Sequence, residues 1–237
     1  MKTIVYVDGL NLYYGSLRGT PFKWLDLYAL FRNCVLDSST ELEQVRYYTA
    51  PVKASSSDDP ASALRQQRYL RALKAYRGDS VQVIHGFIAR ATRVLRLAHP
   101  PEDASGPKKV QVFQFTEKQT DVNLAADLIS DACHGRYQQA VLCSNDSDLV
   151  GALAVVRRDH PDAIVGLVSP VREQRHVCPD LRKVTKWCKV LRPEHLARAQ
   201  LPERIPGTQL TRPDQWSAGS VRRELTGITK FPPPDAA

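Results

Sequence analysis

The strongest constraint on this chain is a rhythm. Short runs rich in β-branched and aromatic residues alternate with longer segments of helical spacing. Residues 2 to 8 (KTIVYVD), 45 to 49 (VRYYT), 81 to 88 (VQVIHGFI), 140 to 143 (AVLC) and 163 to 168 (AIVGLV) read as buried strands. Residues 25 to 35, 61 to 77, 121 to 133 and 147 to 158 read as helices, the second of them introduced by Pro60, which suits a first helical turn. On the helix over 61 to 77, Leu70, Leu73 and Tyr76 are expected to face inward and Arg65, Arg68, Arg71, Lys74 and Arg77 outward. Strands that alternate with helices imply an α/β fold, a mainly parallel central sheet flanked by helices.

Two stretches break the rhythm. Residues 92 to 97 and 110 to 115 alternate apolar and polar side chains around the loop HPPEDASGPKK, which predicts a β-hairpin inserted over residues 90–116. From about Pro202 the chain turns rich in Pro, Gly, Thr and charge. Residues 1–192 are therefore expected to form the folded domain, and 193–237 an irregular, partner-dependent C-terminal extension. No apolar run approaches the roughly 20 residues of a membrane span, and Met1-Lys2-Thr3 lacks a signal-peptide layout. A cytoplasmic protein with reduced thiols is expected: the five cysteines form no C-x-x-C pair.

The chemistry concentrates in aspartates. Asp8 ends the first apolar run, with Asn11 close behind, and Asp146 and Asp148 follow AVLC in the stretch SNDSD. In an open parallel sheet, ligands bind beyond the carboxyl ends of the strands. Taken alone, SNDSD reads equally well as helix-capping chemistry. Asp121 shares a helix face with Leu124, Ala125, Leu128 and Ala132, so at the first turn it is expected to point toward the sheet end. Asp127 and Asp131 fall on another flank and are expected to be solvated. Converging carboxylates repel by a few kcal/mol per pair, an order-of-magnitude figure at reduced dielectric. A cation resolves that repulsion, and oxygen ligands without nearby Cys or His favour Mg²⁺ or Mn²⁺. The net charge of +8 favours a polyanionic partner, nucleic acid first, against the plainer reading of a basic surface. Metal plus polyanion points to phosphodiester hydrolysis.

The motifs VDGLNL, EKQTDVNLAADL and VLCSNDSDL, in this order, resemble the NYN domain, the LabA-type branch of the PIN-like ribonucleases. The resemblance covers roughly residues 1 to 192. It implies a Rossmann-like PIN sheet, a divalent-metal site of Mg²⁺ or Mn²⁺, and RNA as the substrate. Matched motif by motif, Asp8, Asp121, Asp146 and Asp148 would form the acidic cluster, Asn11 would orient a ligand or phosphate, and Ser144 is the small hydroxyl residue before the aspartate pair. The family often has Gly where this chain has Asn145, and Gly-Val where it has Gln119-Thr120. Asn tolerates left-handed backbone geometry, so Asn145 is expected to preserve the turn.

Other residues are candidates for substrate contact. Lys118 adjoins the Asp121 turn and would hold a phosphate, or simply be solvated. Arg90, Arg93 and Arg96 before the loop, and Lys108 and Lys109 after it, would form a basic arm on the hairpin, against a plain solvated hairpin. Of Tyr13 and Tyr14, one could stack on a base, with core packing expected for at least one of the two. Glu117 is expected to be exposed at a strand end. Two rivals share the fold: a non-catalytic RNA-binding module that recruits a protein partner through its tail, and a haloacid-dehalogenase-like phosphatase. The latter wants a second carboxylate two residues after Asp8, where Leu10 stands. Self-association is left open by the sequence.

Overall fold

In a computed structural model, residues 1–52, 59–99, 108–171 and 176–217 are described. Eight strands form among them: β1 (Lys2–Asp8), β2 (Glu41–Thr49), β3 (Val81–His85), β4 (Phe87–Arg96), β5 (Lys109–Lys118), β6 (Gln139–Cys143), β7 (Ile164–Ser169) and β8 (Trp187–Val190). Six of them make one sheet in the order β3-β2-β1-β6-β7-β8, and every neighbouring pair is parallel. The α/β fold predicted from the rhythm is what forms, and it is consistent with a PIN-like sheet.

Parallel strands need crossovers, and the helices supply them. They are α1 (Gly9–Leu12), α2 (Leu27–Leu30), α3 (Ala61–Arg77), α4 (Thr120–Cys133), α5 (Val150–Asp159), α6 (Pro179–Lys183) and α7 (Pro193–Arg198). Successive side chains of β1 alternate between faces. Val5 and Val7 enter a core with α2, α3 and α7, while Ile4 and Tyr6 enter a second with α4, α5 and α6. Full burial of a Leu, Val or Phe contributes roughly 1.5–3 kcal/mol. A sheet covered on both faces therefore draws stability from both layers.

The chain leaves β1 toward β2 and β3, then returns to the other side of β1 as β6. The order of strands reverses between β1 and β6. A crevice opens there, at the carboxyl edge, because the connections on either side depart in opposite directions.

Several expectations give way. On α3 the buried residues are Ala63, Tyr69, Ala72 and Leu73; Tyr76 is exposed. Arg77 is not an outward charge. It pairs with buried Asp26, its Nε 2.9 and 3.0 Å from the two carboxylate oxygens.

Asp131 is fully buried rather than solvated. It accepts a 2.6 Å hydrogen bond from the Tyr6 hydroxyl and pairs with Arg46 at 2.7 Å and Arg136 at 2.9 Å. Asp127 accepts from the Tyr48 hydroxyl at 2.9 Å. Both aspartates lie on the flank of α4 that faces β1 and β2. Helical periodicity reports that flank as polar and says nothing of the tyrosines and arginine waiting for it.

The extension also departs from expectation in its first part. Leu196, Leu201, Ile205 and Trp216 are buried in the core beside α2 and α3, and Trp24 donates from its indole nitrogen to the Pro202 carbonyl at 2.8 Å. Scattered single anchors, rather than a periodic face, hold 193–217, so no apolar period marks it. Residues 218–237 lie outside the described residues.

The hairpin exists and is longer than predicted. β4 and β5 pair antiparallel without a register break, from Phe87↔Lys118 to Arg96↔Lys109. They form a separate two-stranded ribbon. The predicted single strand over 81–88 is split at Gly86, where a Cβ would stand 2.4 Å from the Lys118 carbonyl oxygen. The loop 100–107 is outside the described residues. Among the described residues, no helix is long and apolar enough to cross a membrane.

Candidate active site

Strand register brings the first residues together. Val7 pairs with Cys143, so Asp8 and Ser144 are the next residues of adjacent parallel strands. The Ser144 hydroxyl donates to Asp8 Oδ2 at 2.8 Å, and the Asn11 backbone N–H donates to Oδ1 at 2.9 Å. Asp8 thus caps α1, and its carboxylate is fixed at both oxygens. The same Ser144 Oγ accepts from the Asp146 backbone N–H at 3.0 Å. One buried hydroxyl therefore ties Asp8 to the loop that carries Asp146. The Asp146 side chain in turn accepts from the Asp148 N–H at 3.0 Å, closing the turn before α5. The capping chemistry expected of SNDSD is present, and it orients the aspartates.

Asp121 arrives from α4. The residue before that helix, Gln119, has φ +75° and is, among the described residues, the non-glycine residue with positive φ. This corrects the expectation for Asn145, which is not in the left-handed region. Asn145 instead acts as a tie. Its Oδ1 accepts from the Ser169 hydroxyl at 2.9 Å and the Cys178 N–H at 2.8 Å, and its own N–H donates to Asn11 Oδ1 at 3.1 Å. Left-handed backbone costs a residue with a Cβ roughly 1–2 kcal/mol. Gln119→Gly is expected to raise the melting temperature and Gln119→Val to lower it, as thermal unfolding followed by circular dichroism will show.

These elements enclose a cleft of about 270 Å³, lined by Asp8, Leu10, Asn11, Tyr14, Gly15, Glu117, Asp121, Asn145, Asp146, Pro170 and Val171. Among the described residues of its wall, none is Lys, Arg or His. The wall is held close at Gly15, where a Cβ would stand 1.9 Å from the Pro170 carbonyl oxygen. A larger hollow of about 430 Å³, at 204–209, is the surface of one turn and holds no carboxylate.

The electrostatics follow from this crowding. Burial, and then the nearby charge of Asp146, raise the carboxyl of Asp8, against the lowering effect of its hydrogen bonds. Burial, followed by Asp8, Asp146 and Asp148, pushes Asp121 up to about 6. Glu117 is raised as well, by burial and then by Asp121 and Asp8. It is half-buried rather than exposed, and its Oε1 is buried without a hydrogen-bond partner. The expectation for Glu117 failed because β5 ends against the cleft instead of in solvent.

Asp121 binds its proton more tightly in the folded state than in the unfolded chain, where a carboxyl titrates near 3.9. The contribution of Asp121 to the stability of the metal-free protein should therefore be present at acidic pH and be lost as pH rises through about 6. Discounted for partial exposure, the effect is about 1 kcal/mol, or roughly 2–4 °C in a chain of this size. Asp121→Asn should flatten that slope in melts taken with EDTA between pH 4.5 and 7.5.

The remaining candidates are dispersed. Asp148 is exposed at the rim and outside the cleft wall, although its charge reaches Asp121. Lys118 is exposed. Tyr13 and Tyr14 are both exposed, at 36 % and 54 %, and meet edge to face at 5.2 Å, so neither is a core residue. Arg90, Arg93, Lys108 and Lys109 are exposed on or beside the ribbon. Among the described residues, no three acidic, histidine or cysteine side chains stand close enough together to hold an ion as they are placed.

The NYN domain model matches residues 2–186. The chain belongs to the NYN domain family. NYN domains are generally nucleases of PIN-like type, and the sheet edge just described lies within the matched span. The chain is also similar to a 6-hydroxy-3-succinoylpyridine 3-monooxygenase, HspA, of Pseudomonas putida, with 34 % identity over 236 residues covering 91 % of this chain and 75 % of that protein. Among solved structures it is similar to a protein of unknown function from Vibrio parahaemolyticus, with 15 % identity, a TM-score of 0.44, and coverage of 84 % of this chain and 96 % of that one.

Proposed function

We propose that the protein is a divalent-metal-dependent ribonuclease that hydrolyses RNA phosphodiester bonds in the cleft between β1 and β6. The observation that carries this reading is the shared cleft: Asp8, Asp121 and Asp146 come from three distant segments and line one wall. Their oxygen-only chemistry fits Mg²⁺ or Mn²⁺. So does the elevated carboxyl of Asp121, raised first by burial and then by Asp8, Asp146 and Asp148, in a cleft whose described wall has no cationic side chain. Asp8, Asp121 and Asp146 would hold the ion, with Asp148 supporting from the rim. When bound, such an ion lowers the pKa of a coordinated water and neutralises charge developing on phosphorus oxygens.

The chain's own groups do the positioning. The Ser144 hydroxyl and the Asn11 N–H fix Asp8, and Asn145 locks the loop of Asp146 to β7 and to the turn before α6. Tyr14 in the wall and Tyr13 beside it would meet the RNA strand. The expected cellular setting is the cytoplasm, where free thiols persist. RNA incubated with the purified protein should be cut with Mg²⁺ or Mn²⁺ and left intact in EDTA. RNA bound in EDTA but uncut with Mn²⁺ would instead make this a binding module.

A second reading is suggested by the Pseudomonas relative, whose name describes a monooxygenase. The geometry favours it less. Without a bound cation, a substrate carrying a succinoyl carboxylate would meet like charges in this cleft, and the described wall offers no cationic side chain to receive it. Consumption of O₂ and NAD(P)H on adding 6-hydroxy-3-succinoylpyridine, with no RNA cleavage, would reverse that preference.

A further inference from the structure

The β4–β5 ribbon has two faces, and they differ. Directly paired residues share a face, and alternate pairs switch. One face carries Ile88 with Glu117, Arg90 with Phe115, Thr92 with Phe113, Val94 with Gln111, and Arg96 with Lys109. The other carries Phe87, Ala89, Ala91, Arg93 and Leu95 with their partners. Only the first runs into the cleft, because Glu117 belongs to both. It begins half-buried at Ile88, Phe115 and Glu117 and becomes exposed farther out, with Phe113 60 % and Val94 63 % exposed. The Arg90 guanidinium lies over the Phe113 ring, 3.8 Å from its centroid. Beyond Glu117 the charges on this face are Arg90, Arg96 and Lys109, all positive. Ten residues of β4 rise about 34 Å, so the face extends well past the cleft.

We propose that this face of the ribbon is a track for single-stranded RNA, with the Arg90–Phe113 pair as a stacking platform and Arg96 and Lys109 as phosphate contacts. The inference rests on the ribonuclease reading and adds where the strand runs on leaving the acidic cleft. Exposed aromatic rings interleaved with cations are the chemistry that binds single strands without sequence preference, because every base offers a π-face. A negative cleft at one end of a positive track orients the polyanion: the track holds the backbone while the cleft receives only the bond to be cut. The facial assignment is specific. Arg93, a hairpin cation like Arg90, points to the other face and takes no part.

The test measures binding apart from cleavage. Fluorescence anisotropy of a labelled 20-nucleotide single-stranded RNA, in EDTA, is followed for the full-length protein. Phe113→Ala should weaken binding roughly tenfold, within the range of one lost stacking contact, and Phe113→Tyr should restore it. Arg96→Ala with Lys109→Ala should reduce the salt slope of log affinity by about 1.4, the value for two phosphates of a single strand. Arg93→Ala should change affinity by less than twofold. Phe113→Trp should show indole quenching on RNA addition.

Equal losses for Arg93→Ala and Arg90→Ala, or a correctly folded Phe113→Ala protein with unchanged affinity, would overturn the track. So would a dimer that Phe113→Ala converts to monomer while RNA binding persists, since the face would then be a protein interface. Track variants that lose binding when wild type shows no metal-dependent cleavage would sustain this inference and refute the nuclease. Intact cleavage beside unaltered binding would do the reverse.

Discussion

Asp8→Asn should abolish metal-dependent RNA cleavage while leaving a folded protein that melts higher than wild type in EDTA. The two effects have one cause. Asp8 is 5 % exposed, and burial raises its carboxyl against the help of two hydrogen bonds. A buried carboxylate that must stay charged is a folding cost accepted for what the charge does. Asparagine has nearly the same shape. Its amide oxygen can still accept from the Asn11 N–H and cap α1, and its NH₂ can donate to the Ser144 oxygen in place of the bond now made. What it cannot supply is the negative charge that would hold a cation. If that cation contributes several kcal/mol of transition-state stabilisation, the rate should fall on the order of a hundredfold or more. Cleavage rates with Mn²⁺, paired with melting curves with and without metal, check it. Wild type should gain melting temperature on adding Mn²⁺ and Asp8→Asn should not. Full activity in the folded variant would remove Asp8 from the site and the nuclease reading with it.

How much of this was visible beforehand depends on whether a signal is local. The strands carry their own signature, because a strand buried on both faces must be apolar throughout, as AVLC is. Asp8 and Asp146 stood out because each interrupts such a run at its carboxyl end, where side chains still point at the sheet edge. Asp121 was legible from helical spacing alone. Most of the failures are non-local. Glu117 looked like an exposed strand end because nothing in its neighbourhood announces that β5 stops at the cleft. Gln119 stands where the family often has Gly, yet the left-handed expectation was attached to Asn145, and it is Gln119 whose backbone the turn that aims Asp121 places in the left-handed region. Asn145 carried a left-handed expectation, yet its role is set by Ser169, Cys178 and Asn11, each distant in sequence. The 193–217 segment hid for the same reason: Trp216 meets Trp24, before α2, and Tyr69 of α3, and Ile205 joins the same core.

Asp131 shows how far such a hidden partner set can matter, and its removal is the larger expected loss of stability. Asp131→Ala should destabilise the protein by about 3–5 kcal/mol, the range for breaking a buried ion pair from one side. The carboxylate serves Tyr6, Arg46 and Arg136 together. Without it, the Arg46 guanidinium, whose side chain is 11 % exposed, keeps only the longer pair with half-exposed Asp127 at 3.7 Å. The Tyr6 hydroxyl, in a fully buried side chain, loses its acceptor. Arg136 is more than half exposed and can turn to water, so it adds little. The melting temperature should fall by roughly 6–20 °C on the usual scaling for domains of this size. Asp131→Asn should cost less, because an amide oxygen still accepts from Tyr6. In a double-mutant cycle, Tyr6→Phe should cost much less on the Asp131→Ala background than on wild type. The cleft lies at the other end of α4, ten residues and about 15 Å of helix away from Asp131. Cleavage per folded molecule at low temperature should therefore be unchanged. A loss below about 1 kcal/mol would mean the network merely tolerates burial. A loss of cleavage without loss of stability would mean that α4 transmits strain from Asp131 to Asp121, an effect the present geometry does not provide.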